Sequence, residues 1–541
     1  MDAKAALARR VSPREWGWAA AFSLLVMALT SVPYLAAAAS QSAAWRFGGF
    51  LLAVEDGNSY IAKMSEGAHG AWLFTLTYSS EPQRGALLFT FYLLLGHLSG
   101  PNHDAQVLVY HLARVVCGVA LLLTCYLFLA EFLPRVRQRR LGLLLVALGG
   151  GLGWAVTIAF PGGLLGSLPV DFISPEAFSW LVLFGFPHLA LARCLLLLGL
   201  VAFLRGRGVL AGLALFASAV VQPLAVIAIW MVIGVFLVLS GLWLRQAARR
   251  PAARAGLLDL NASLSNWRRD ARNWVLLGLL SALPVLYTVY VFSVDPVLRQ
   301  WNAQNYLPSP SPIDYLLAYG VWLALAIPGW RVLWRRRPRL ALLAGGWVLA
   351  AALLLYTPIP TQRRLIEGVQ LPLAVLAVLG LTVALRRLRR WLVPAVLALT
   401  LPTAALLWTG ALLAARAPGE PIFHPADQVA AFDWLAEHGQ VGQVALSAYQ
   451  TGNALPAYVP LIAYIGHGPE TVFLAAKAPR VAAFYSGASD ADRLRLLADG
   501  RIRYVIEGPH ERALGSFDPA AVPYLAWRYA NNTYAIYEVR P

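Results

Sequence analysis

Glu55 and Asp56 form an acidic pair just past the first long apolar segment, in the run Glu55-Asp56-Gly57-Asn58-Ser59-Tyr60. Adjacent carboxylates can divide labour: one serves as a general base while its neighbour raises the first one's proton affinity or helps to hold a divalent cation. A carboxylate at that place costs little if it faces water and several kcal/mol if it is buried unpaired in lipid. The plain alternative is a solvated loop that caps a short helix.

Other charged residues invite similar readings. Arg363 and Arg364 sit in the proline-punctuated turn Tyr356-Thr357-Pro358-Ile359-Pro360-Thr361-Gln362-Arg363-Arg364. A guanidinium's planar fork suits a phosphate at headgroup level, and snorkelling to the interface is the competing role. Arg114 and Arg193 lie inside apolar segments, where an idle arginine is costly. Arg114 is one turn into its segment and in reach of Asp56 or Glu55. Asp171 and Glu176 form a second acidic site, with capping of the next helix as the plainer role. The polar, aromatic stretch 293–312 reads either as a lid or as a connector. His97, His103, His111 and His188 lack HExxH or i,i+4 spacing, so no metal site is expected from them. Asn531-Asn532-Thr533 fits a glycosylation sequon, a triplet that often arises by chance.

These residues need a scaffold, and composition defines it. The chain is 59% hydrophobic and only 13% charged, against about 25% charged in soluble domains, so it is a polytopic membrane protein. Its net charge of +17 comes from Arg clusters between apolar segments. Insertion topology explains them without a nucleic-acid partner. Cys117, Cys125 and Cys194 all lie in apolar segments, with no CxxC spacing, and imply no disulfide framework.

Apolar runs at about 16–39, 107–131, 141–160, 180–204, 208–222, 224–244, 273–292, 313–330, 340–357, 369–385 and 391–414 predict eleven spans, the first of them retained rather than cleaved. The pair around Gln222-Pro223 also reads as a broken hairpin. Twenty-six Lys and Arg fall in the N-terminus and alternate loops, against six in the loops between (Arg46, Lys63, Arg84, Arg299, Arg363 and Arg364). That bias puts the N-terminus in the cytoplasm and the acidic pair outside. Residues 40–106 then form a large outer loop lying on the membrane, with short interfacial helices expected at Trp45–Val54 and Ser59–Glu66 and a third apolar stretch at Leu87–Leu98.

From about Ala417 the pattern changes to a soluble α/β domain, residues 417–541, following a membrane domain of residues 1–416. Helices are expected at Asp427–His438 and Asp490–Ala498. Strands are expected at Val441–Ser447, Leu461–Ile465, Arg503–Glu507 and Thr533–Val539. No inverted duplication of the transporter kind is visible.

Four motifs together resemble the GT-C superfamily of polyprenyl-phosphate-sugar-dependent glycosyltransferases, in particular bacterial relatives of protein O-mannosyltransferases and the lipid A aminoarabinose transferase. They are Asp56-Gly57-Asn58-Ser59-Tyr60 with Ile61-Ala62-Lys63-Met64, Gly70-Ala71-Trp72-Leu73-Phe74, Ser80-Glu81-Pro82 ahead of Leu87–Leu98, and His111-Leu112-Ala113-Arg114. The chain departs from the pattern at Gly57, where a second acid often follows, and at Gln83-Arg84, which replaces Lys-Pro. The resemblance implies Asp56 as catalytic base, with Arg114 as its structural or phosphate partner.

The resulting expectation is an inverting glycosyltransferase of GT-C-like fold. Its donor is a polyprenyl-phosphate-linked sugar and its acceptor an extracytoplasmic protein, glycan or lipid. Asp56 and Glu55 are the catalytic candidates. Tyr60, Arg114, Arg363, Arg364, Glu176 and His188 are the substrate-binding ones, with no metal ligand expected and room for a divalent cation. The rival is a transporter or flippase for a lipid-linked or anionic solute. It needs polar residues at mid-membrane, where Arg193 and His188 are the main exceptions to Leu, Ala, Val and Gly. A third reading, a membrane anchor for the outer domain, leaves eleven spans unexplained.

Overall fold

The computed structural model describes residues 11–162, 166–249, 260–383 and 389–540. Seven basic residues of the predicted cytoplasmic clusters, Lys4, Arg9, Arg10, Arg250, Arg254, Arg386 and Arg387, lie outside them.

Among the described residues nine helices are long and apolar enough to cross a membrane: Pro13–Ala39, His103–Phe132, Val136–Ala159, Pro187–Leu204, Pro223–Ala248, Leu260–Val294, Pro312–Arg336, Gln362–Val383 and Arg390–Ala415. Two expected spans, Gly208–Val221 and Pro338–Leu354, are apolar helices of 14 and 17 residues, short of the ~20 residues that a perpendicular crossing needs. The chain does break at Gln222, between the helices Gly208–Val221 and Pro223–Ala248. Proline opens the helices at 187, 223, 312 and 338, where its missing N–H has no helical partner to lose.

The chain forms two compact units. The first comprises residues 1–30, 114–288 and 307–409, and its helices pack through small residues. A Cβ on Gly329 would lie 1.8 Å from the Leu376 carbonyl oxygen, and one on Gly380 would lie 2.1 Å from that of Leu325. Backbones that close tolerate only glycine, the usual device where apolar lipid offers no hydrophobic drive between helices. Three ion pairs lie inside this unit: Arg193 with Glu367 at 2.5 Å, Arg139 with Glu15 at 2.8 Å and Arg205 with Glu131 at 2.7 Å among the described residues.

The second unit comprises residues 31–113, 289–306 and 410–541. Trp45–Phe47 (β1), expected as part of an interfacial helix, is instead a strand antiparallel to Phe423–Pro425 (β2). Its aromatic residues flank Arg46 on a two-residue period, which suits a strand better than a helix. Val444–Leu446 (β3), Ile462–Ala463 (β4), Ile502–Glu507 (β5), Leu525–Ala530 (β6) and Ala535–Val539 (β7) form a sheet in the order β4-β3-β5-β7-β6. β3 is parallel to β4 and β5, while β7 is antiparallel to β5 and β6. Alternate residues feed two cores: Ile506 and Ile536 face Phe432 and Leu455, whereas Val505 and Tyr537 face Phe484 and Leu496. β6 and the helices Tyr449–Tyr458 and Leu474–Tyr485 stand outside the elements expected from sequence patterning.

Candidate active site

The acidic pair opens the helix Val54–Ala68, one turn longer at its start than the expected Ser59–Glu66. Its carboxylates stand in the first turn, where the helix dipole favours negative charge. Gly57 is explained by packing: a Cβ there would lie 2.3 Å from the Phe50 ring, so a side chain at the position where a second acid might stand would collide with that ring. Further along, a Cβ on Gly67 would lie 2.1 Å from the Leu93 carbonyl oxygen and one on Gly96 1.9 Å from that of Met64. The helix Thr90–Ser99, overlapping the expected Leu87–Leu98 stretch, therefore lies directly against the acid-bearing helix.

The two acids have different surroundings. Glu55 Oε1 accepts hydrogen bonds from the Tyr449 hydroxyl at 2.6 Å and from the Gly468 N–H at 2.7 Å. Asp56 keeps 54% of its side chain exposed, and its Oδ1 lies 3.6 Å from Nε2 of buried His467. Glu55 is thus held by two hydrogen bonds, and Asp56 is the more exposed of the two carboxylates. Among the described residues no group of three or more His, Cys, Asp or Glu is placed to hold a metal ion.

Behind this pair lies a buried polar network. Lys63 Nζ meets Glu470 Oε1 at 2.7 Å and donates to the Ser59 hydroxyl and carbonyl, while Ser59 Oγ donates to Glu470 Oε1 at 2.8 Å. The ammonium also lies 4.6 Å from the Phe89 ring centroid and 5.3 Å from that of Phe74, a favourable desolvated cation–π setting. Ser79 Oγ donates to the Glu470 carbonyl and accepts from the Val472 N–H. Asn58 donates to Asn453 Oδ1, and Tyr78 to the Asn453 carbonyl. Burial pushes the Glu470 carboxyl up, but Lys63 and His467 outweigh it and hold the group below its ordinary value. Burial likewise draws His467 down, and Glu470 together with Asp56 reverses the sign, so its pKa is raised.

Tyr60 stacks on Tyr92 with ring centroids 4.6 Å apart and planes 11° apart, and it is half-buried, one turn beyond Asp56. The stretch expected as lid or connector contains a helix, Pro296–Gln304, whose N-terminus Asp295 caps. Gln304 donates to the carbonyls of Pro469 and Thr471 and accepts from the Phe473 N–H. The side chain fastens this helix to the loop that carries His467.

The remaining candidates lie in the first unit. Buried Arg114 donates to Thr30 Oγ1 at 2.8 Å and to the Leu183 carbonyl at 3.1 Å. Arg364 Nε lies 3.6 Å from Glu176 Oε1, so two residues read separately in the sequence form one ion pair. Arg363 Nε is buried with no hydrogen-bond partner among the described residues. Arg193 ties Glu367 to the carbonyls of Pro175 and Glu176. Half-buried His188 follows Pro187 at the start of its helix. Asp171 caps backward rather than forward: its Oδ2 accepts from the Gly151 and Gly153 N–H groups and from Thr403. The three-glycine break after Leu148 leaves those amides without helical partners, which is what draws the carboxylate there.

His467, Glu470 and Tyr449 had escaped the sequence reading. The local signal was Gly466-His467-Gly468-Pro469-Glu470, a histidine between glycines followed by an acid, in a region read only for its helices and strands.

No family model matches the chain, and no curated relative does. Solved structures do. ArnT from Cupriavidus metallidurans, in the apo state, is similar at a TM-score of 0.52 and 15% identity, with 96% of this chain and 98% of that one covered. The Archaeoglobus fulgidus oligosaccharyltransferase in the apo form is similar at 0.52 and 12%, covering 94% of this chain and 73% of that one. Both neighbours are GT-C glycosyltransferases, and the chain shares their fold.

Proposed function

We propose that this multi-pass membrane protein is an inverting glycosyltransferase that moves a sugar from a polyprenyl-monophosphate donor to an extracytoplasmic acceptor. The observation that carries the reading is Asp56: an exposed carboxylate at the start of a helix, beside an acid held by Tyr449 and Gly468, in a chain of GT-C fold. Fold alone does not assign chemistry, so the weight rests on that side chain.

In the proposed reaction Asp56 takes the proton of an acceptor hydroxyl as its oxygen attacks C1 of the sugar. The new O–C1 bond forms on the face opposite the breaking bond to phosphate, which inverts the anomeric centre. The lipid phosphate leaves with the bonding electrons. Arg363 and Arg364 are assigned to that phosphate on chemistry: a forked donor whose buried Nε–H has no partner among the described residues, and a second guanidinium held by Glu176. Tyr60 offers a ring face to a sugar. The N-terminus is assigned to the cytoplasm and the acidic site to the outer face on the asymmetry of Lys and Arg.

The test is transfer from a synthetic polyprenyl-phosphate hexose by protein in lipid nanodiscs, read as released polyprenyl phosphate. Asp56→Asn is expected to abolish release while leaving the melting temperature unchanged, and full activity of that variant refutes the base. Mass spectrometry of co-purifying lipids identifies the donor headgroup independently.

A further inference from the structure

We propose that the C-terminal segment completes the acidic site: His467 is a positioning residue that presents Nε2–H to Asp56 Oδ1 and so orients the carboxylate that receives the acceptor proton. The inference rests on the reading of Asp56 as base.

The geometry fixes the imidazole's orientation. Its Nδ1 accepts the Glu470 N–H at 3.3 Å, which leaves the ring proton on Nε2. Nε2 is buried, has no hydrogen-bond partner within bonding distance among the described residues, and lies 3.6 Å from Asp56 Oδ1. Catalytic hydrogen bonds are commonly long before substrate arrives. The ring cannot easily turn away. Thr471 Oγ1 accepts the N–H groups of Gly466 and His467, and the Tyr78 ring lies 5.3 Å from the imidazole.

The charge on the imidazole is set by its neighbours. Three charged groups act on it: Glu470 and Asp56, which favour the protonated ring, and Lys63, which opposes it. Burial opposes the charge as well, and the net effect is a raised pKa. Lys63 and Ser59 hold Glu470 from the helix that carries Asp56, while the Gly468 N–H holds Glu55. The loop 466–472 therefore grips the acid-bearing helix on both sides of Asp56. This gives the C-terminal segment a part in the chemistry rather than a role only in recognising acceptors.

The full-length chain in nanodiscs provides the test. Histidine hydrogen–deuterium exchange read by mass spectrometry reports the titration midpoint of His467 without any substrate. Asp56→Asn is expected to lower that midpoint, and an unchanged midpoint overturns the pairing whatever the protein's activity. With the polyprenyl-phosphate hexose, His467→Ala is expected to lower kcat by about 10- to 100-fold with donor KM little changed. The acidic limb of its pH profile moves to higher pH, because a carboxylate that loses an adjacent N–H donor takes up its proton sooner. Added imidazole restores part of the rate, which no merely structural defect would allow. Wild-type kcat and pH profile in His467→Ala, with Asp56→Asn inactive, overturn this inference and leave the base standing. Activity in Asp56→Asn removes the base itself.

Discussion

Lys63 Nζ lies 2.7 Å from Glu470 Oε1, with 1% and 7% of the two side chains exposed, and this buried pair ties the first loop to the C-terminal segment. Removing one partner of such a pair leaves an uncompensated buried charge and costs about 3–5 kcal/mol, whereas replacing both by apolar groups is often neutral. Lys63→Met is therefore expected to lower the melting temperature in detergent sharply, and Lys63→Met with Glu470→Met to recover most of the loss. A double variant as unstable as the single one would show that the hydrogen bonds to Ser59, rather than the charges, set the stability.

Glu66, one turn beyond Lys63, gives the protein a pH-dependent stability. Burial pushes its carboxyl up to about 7 from 4.5, although hydrogen bonds from Thr75 and the charge of Lys63 pull the other way. The folded state thus holds a proton that the unfolded chain releases, so the group's contribution is full below pH 4.5 and is lost as pH rises through 7. The shift corresponds to something on the order of 3 kcal/mol. Thermal unfolding between pH 5 and 8 is expected to show the wild type losing stability on the alkaline side relative to Glu66→Gln. Parallel curves would contradict the shift.

The contact between Gly67 and Leu93 has a steric consequence. A methyl group 2.1 Å from a backbone oxygen cannot be absorbed by a side-chain rotation, so Gly67→Ala must push two helices apart. Overpacking of this kind costs about 1–3 kcal/mol. Because the displaced helix carries Asp56, turnover is expected to fall further than stability alone explains. A Gly67→Ala protein with full melting temperature and rate would show that the helices can separate freely.

How much of this was readable in the chain follows from range. Asp56, Tyr60 and the helix behind them came from a local motif, and the spans came from windows of apolar residues, both short-range signals. Lys63 looked like an ordinary loop cation because its partner stands 407 residues away. His467 and Glu470 were invisible for the same reason: their meaning lies in contacts with the helix Val54–Ala68, not in their neighbours in sequence. Trp45–Phe47 is too short for its two-residue alternation to stand out from a helix, and only pairing with Phe423–Pro425 defines it. Gly57 looked like a departure from the resembled pattern until the Phe50 ring above it supplied the reason.

Arg363 offers the most direct test of where an anion binds. Its Nε is buried without a hydrogen-bond partner among the described residues, while its neighbour Arg364 is held beside Glu176. A buried donor left unsatisfied costs about 1–3 kcal/mol, and the cost is removed if a phosphate oxygen accepts from it. Arg363→Ala is therefore expected to weaken binding of a polyprenyl monophosphate by about tenfold or more, with no loss of thermal stability, since the Nε–H it deletes has no partner among the described residues. Arg363→Lys keeps the charge but loses the fork, and intermediate binding is expected if geometry matters as well as charge. Titration of each variant with the lipid, followed by native mass spectrometry in detergent, reads both effects. Wild-type affinity in Arg363→Ala would move the phosphate assignment away from this turn.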